Sequence, residues 1–62
     1  MTYYVAIESN DTLDVMHETN TLFDALCHFN TLNNHHDDDV DEIEIGKYIN
    51  DEMSPIDYIE YK

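Results

Sequence analysis

Polar and apolar residues alternate from Thr2 to Glu8, with Tyr3, Val5 and Ile7 on one side and Tyr4, Ala6 and Glu8 on the other. That is the period of a β-strand whose first side enters a core. Ser9-Asn10-Asp11-Thr12 is a turn cluster, and alternation resumes from Leu13 to Glu18, where Leu13, Val15 and His17 oppose Asp14, Met16 and Glu18. Together the two segments predict a β-hairpin. Asn20-Thr21 next offers N-cap oxygens, with Asp24 near the positive end of a helix. Leu22, Ala25, Leu26, Phe29 and Leu32 recur at three- and four-residue intervals as one apolar stripe. Asp24, His28 and Thr31 are left on the wet side.

Asn33 to Asp39 lacks any apolar residue and reads as a loop, in which Asn33 or Asn34 suits the left-handed conformation that ends helices. From Val40 the pattern becomes Glu42-Ile43-Glu44-Ile45, a strand, with Gly46 at a bulge before Lys47-Tyr48-Ile49. Asn50-Asp51-Glu52 breaks the run. Ser54-Pro55 then sits before or at the start of a last segment, Ile56 to Tyr61, whose β-branched and aromatic content favours an edge strand. Asp41 to Met53 also fits a helix, because Ile45, Tyr48, Ile49 and Glu52 or Met53 share helical spacing. The preferred order, β-β-α-β-β, gives an α+β fold: a small antiparallel sheet with one amphipathic helix packed on one face. No internal repeat divides the chain, and 1–62 reads as a single domain.

Composition changes this picture through charge. The 62 residues include fifteen Asp and Glu against two Lys, for a formal net charge of −13. A domain this small buries only roughly 60% of its unfolded surface, and self-repulsion on that scale opposes compaction. A positively charged partner accounts for the excess better than folding does. The 42% hydrophobic content, five Tyr and two Phe argue for a folded chain rather than an acidic disordered tail. Cys27 has no disulfide mate, which suits a reducing compartment. With no leader pattern and no long apolar run, the expectation is a cytoplasmic protein of a host cell, away from membranes. Direct nucleic-acid binding is excluded by repulsion from phosphate.

Candidate chemistry is sparse. His35-His36-Asp37-Asp38-Asp39 offers metal-binding side chains but matches neither a calcium loop nor a zinc spacing, so it reads as a flexible acidic loop. Cys27 and His28 are neighbours in sequence and therefore do not face each other on a helix; a buried or half-buried thiol is expected. No catalytic constellation and no cofactor motif is present, and the expectation is a non-enzyme.

The placement of the acids is more informative. Glu42 and Glu44 project together, opposite Ile43 and Ile45, while Glu8, Asp14 and Glu18 occupy the predicted outer face of the first hairpin. Asp57 or Glu60 extends this surface, and Asp37, Asp38, Asp39 and Asp41 supply its loop. Duplex DNA carries one charge per roughly 1.7 Å of axis, so such a body imitates a short duplex segment. Tyr4, Tyr48, Tyr58 and Tyr61 are candidates for amphipathic interface contacts, with at least half expected in the core.

In size, charge and element order the chain resembles the small acidic inhibitors of phages and other mobile elements. That class includes DNA-mimicking antirestriction proteins, anti-CRISPR proteins and uracil-DNA glycosylase inhibitors. Its Glu8-Ser9 pair, at the end of the first strand, looks like the Glu-Ser pair of one glycosylase-inhibitor family. The resemblance implies stoichiometric inhibition of a basic nucleic-acid-binding protein, with the acids in its DNA groove. The other expectation is a non-enzymatic acidic interaction module, monomeric or a homodimer paired through strand edges.

Overall fold

The computed structural model describes residues 1–61. Strands β1 (Tyr3–Ser9) and β2 (Thr12–Thr19) are followed by helix α1 (Leu22–Asn34), then β3 (Glu42–Ile49) and β4 (Glu52–Glu60). All neighbours are antiparallel in one four-stranded sheet of order β2-β1-β3-β4. The α+β reading holds, and residues 42–49 are strand, which removes the helical alternative for Asp41 to Met53.

Each hairpin closes on an Asn-Asp pair. Asn10 (φ 52°) and Asp11 (φ 63°) link β1 to β2, and Asn50 (φ 53°) and Asp51 (φ 65°) link β3 to β4. Two successive positive φ values define the tight turn whose twist matches the flanking strands, and Asn and Asp tolerate that region better than other side chains. Helix α1 starts where expected: the Thr21 hydroxyl accepts the Asp24 N–H at 3.2 Å, with Thr21 itself extended. It ends differently. Asn33 and Asn34 stay helical, and termination falls at His35, whose N–H donates to the Thr31 carbonyl at 3.0 Å without a left-handed residue.

One helix covers one side of the sheet, packing on β1, β2 and β3. Val5, Ala25, Phe29, Val40, Ile43 and Ile45 form the core, with Tyr3, Ile7, Leu32, Ile59 and Tyr61 packed against it. The stripe is buried only in part, since Ala25 and Phe29 are enclosed while Leu22 and Leu26 remain exposed.

Two bulges alter the expected pairing. In β2, Val5 faces His17 and Ala6 faces Val15, so Met16 is an extra residue. The strand therefore splits its expected face: His17 lies on the helix side, while Leu13 and Val15 join Glu18 on the open side. In β4, Ile45 faces Asp57 and Gly46 faces Pro55, leaving Ile56 extra. Ser54 and Pro55, expected before or at the start of the last strand, lie within it. An edge strand can hold Pro55 because a missing N–H on its outer side breaks no ladder. Both sheet edges are thus interrupted, by a bulge in β2 and by a bulge and a proline in β4. Such interruptions oppose pairing with another strand.

Candidate functional site: an acidic sheet face and end

On the side of the sheet away from α1, register aligns the carboxylates across strands. Glu8 stands opposite Glu42, and Glu42 stands opposite Glu60, forming a row across β1, β3 and β4. Neighbouring strands lie about 4.8 Å apart, and like charges directly opposite each other are destabilising. Glu44 follows Glu42 on the same face. The crowding registers in Glu42, whose carboxyl is held above its ordinary value, first by desolvation and then by the charges of Glu8, Glu44 and Glu60.

Chain direction concentrates further acid at the same end. The close of β1, the turn to β2, the end of α1, the start of β3 and the end of β4 all meet there. Glu8, Asp11, Asp37, Asp38, Asp39, Asp41, Glu42 and Glu60 occupy this end, eight of the fifteen acids. Asp14, Glu44 and Asp57 lie along the body, and Glu18, Asp24, Asp51 and Glu52 stand toward the other end. Among the described residues the only lysine, Lys47, lies in the distal half of β3, opposite Tyr3 and Ser54.

The acidic loop is tied to the body at both flanks. Val40 is buried in the core, the Asp41 N–H donates to the Glu8 carbonyl at 2.8 Å, and the Tyr61 N–H donates to the Asp41 carbonyl at 2.8 Å. His36 stacks on Tyr61 with ring centroids 4.0 Å apart, and the Tyr61 hydroxyl donates to Asn33 Oδ1 at 2.6 Å. These contacts hold the two flanks of the loop, and Asp37, Asp38 and Asp39 between them are exposed. A chain segment without apolar residues is anchored by the valine that follows it.

Two tyrosines fix carboxylates on the open face. The Tyr4 hydroxyl donates to Glu44 Oε2 at 2.6 Å and the Tyr48 hydroxyl to Glu18 Oε2 at 2.7 Å, with the rings tilted against each other at 5.2 Å. A hydrogen bond to an ionised carboxylate is about twice as strong as one between neutral groups, so both acids are held in place. Burial, followed by the Glu44 hydrogen bond, pushes the Tyr4 hydroxyl well up; at Tyr48 the Glu18 hydrogen bond is the larger cause. Both phenols thereby remain donors. Tyr4 is fully covered although no element packs on this face, because it lies across Gly46. A Cβ at Gly46 would fall onto the Tyr4 ring and within 2.6 Å of the Ser54 carbonyl oxygen. Close approach of the ring, not a turn, explains the sole glycine.

Of the acids assigned to the surface from sequence, Glu8, Glu18, Glu42, Glu44 and Glu60 share the open face. Two do not. Asp14 stands opposite Ile7 on the helix side because the Met16 bulge separates its parity from that of Glu18, and Asp57 stands opposite Ile45 on the helix side by plain alternation from Glu60. Asp11 belongs to the acidic end and was not foreseen; only the strand order brings its turn beside the α1–β3 loop. Leu13, Val15 and Met53 were also missed, and they add apolar contacts to the open face beside the half-exposed Tyr58.

Cys27 is exposed, against the expectation of burial. His17 and His28 stack at 3.8 Å, and His17 is held below its ordinary value by desolvation and then by His28. Among the described residues no three His, Cys, Asp or Glu side chains converge on a metal position, and no helix is long and apolar enough to cross a membrane. Comparison with protein-family models, curated proteins and solved structures finds no match to this chain.

Proposed function

We propose that the protein is a stoichiometric inhibitor whose acidic sheet face and end occupy the basic nucleic-acid-binding groove of a host defence or DNA-processing protein. The observation that carries this reading is the Glu8–Glu42–Glu60 row. Opposed like charges on three adjacent strands cost stability, and a cationic groove repays that cost on binding. Glu44 and Glu18, fixed by tyrosine hydroxyls, need little ordering when the partner arrives. Charge supplies fast, salt-sensitive encounter, and Leu13, Val15, Met53 and Tyr58 supply short-range contacts that slow dissociation. The function requires no chemistry on the partner.

A pull-down from host lysate, followed by competition with duplex DNA at low and high salt, tests the reading. The expected result is a captured nucleic-acid-binding protein that loses DNA in proportion to inhibitor added, more weakly as salt rises. Capture that leaves DNA access unchanged contradicts it.

A further inference from the structure

Around the sheet from the carboxylate row, the acidic end also carries a cleft of about 140 Å³ on the helix side. Its floor is apolar, made by Ile7 of β1, Met16 of the β2 bulge, Leu32 of the last turn of α1 and the buried Val40. His36 and the exposed Asp37 line it as well. A metabolite-sized site needs roughly 300–1,000 Å³, so this cleft suits a single side chain. The polar groups around it are acceptors. The Asp37 carbonyl accepts the Val40 N–H at 3.1 Å and His36 Nδ1 at 3.1 Å, which fixes the backbone that carries the Asp37 carboxylate. A carbonyl only accepts, so Nδ1 of a neutral His36 bears the proton and Nε2 is left an acceptor. Stacking on Tyr61 holds the plane of that ring. On the opposite flank Asp14 stands across from Ile7 on the same side of the sheet.

We infer that this cleft receives an arginine side chain of the partner protein, with its aliphatic stem on Ile7, Met16, Leu32 and Val40 and its guanidinium at Asp37 and His36. The floor matches a chain of methylenes, and the carboxylates on both flanks match the cation at its tip. Lysine fits less well, because an ammonium is compact and strongly hydrated, whereas a guanidinium is planar, stacks on aromatic rings and forks onto carboxylates. A second copy of this chain is no occupant, since the sequence contains no arginine. The inference rests on the proposed inhibition for its partner, whose basic groove supplies the arginine, but the cleft is read out separately.

Titration of the methyl-labelled protein with N-acetyl-arginine methylamide, followed by NMR in about 0.15 M salt and at about pH 8, where imidazoles are neutral, tests it. The expected result is saturable shifts of the Ile7, Met16, Leu32 and Val40 methyls with a millimolar Kd. Blocked citrulline, the uncharged isostere, gives none, and blocked lysine binds more weakly. Asp37→Asn weakens binding about two- to fivefold, while Asp38→Asn, beside it in the loop but outside the cleft, stays close to the parent. No cleft shifts with blocked arginine, equal shifts with citrulline, tighter binding of lysine, or equal losses in the two loop variants would each overturn the inference. Those results leave displacement of DNA by the protein unaffected. Cleft shifts from a protein that displaces no DNA from its captured target uphold the arginine site and refute inhibition instead.

Discussion

On its helix side the sheet sets Val5, Ile43 and Ile45 beneath Ala25 and Phe29, and every contact there lowers the free energy of the fold. On its open side the strand ends carry Glu8, Glu42 and Glu60, which stand opposite one another and repel, while further along Tyr4 lies over Gly46. Strand alternation lets one β3 segment, Glu42-Ile43-Glu44-Ile45, serve both sides at once. The contrast shows a domain whose helix-covered core lies on one face and whose aligned carboxylate row lies on the other.

Substitutions separate the two roles. The largest effect is expected at Phe29→Ala, which removes the main helix contribution to the core at a cost of about 3–5 kcal/mol. A domain of this size has a total stability of roughly 3–9 kcal/mol, so thermal melting should show a largely unfolded population. Gly46→Ala comes next, at about 1–3 kcal/mol, because Tyr4 must leave its place and release Glu44. Near-ultraviolet circular dichroism should report the displaced ring. Asn50→Ala should cost roughly 1–2 kcal/mol through its positive φ, while Asn50→Gly leaves the denaturation midpoint nearly unchanged.

The smallest stability change is expected at Glu42→Gln, and its sign is opposite. Because the folded protein raises the Glu42 carboxyl above 4.5, it holds more protons than the unfolded chain in that range. This contribution to stability is full at low pH and is lost as pH rises through the raised value. At neutral pH the Gln variant should therefore melt slightly higher than the parent, and the difference should shrink on acidification toward 4.5. A lower melting point for Glu42→Gln at neutral pH would show that the row does not repel.

Much of this division is legible in the residues themselves. Ser9-Asn10-Asp11-Thr12 marks its hairpin because Asn and Asp are the side chains that accept positive φ, and Glu42 to Ile45 displays its alternation openly. The bulge at Met16 leaves no such trace, since Leu13, Val15 and His17 alternate perfectly and only the register against β1 splits them. Pro55 reads as a break before a strand, yet it is tolerated inside one because β4 lies at the edge. Exposure of Cys27 and Leu26 follows from the narrowness of the buried stripe, which a single helix over a sheet sets by its tilt and position. The acidic end is a product of strand order, which joins the loop at Asp37 to Asp41 with Glu8 and Glu60, distant from each other in sequence.

The most direct measurement is displacement of labelled duplex DNA from the captured target by paired variants of equal charge change. Glu8→Gln/Glu42→Gln/Glu60→Gln removes the row, and Asp24→Asn/Asp51→Asn/Glu52→Gln removes the same charge at the opposite end. The row variant is expected to lose displacement by at least about tenfold while the distal variant stays close to the parent. Equal loss in both variants, or none in either, would contradict a patterned anionic surface as the basis of recognition.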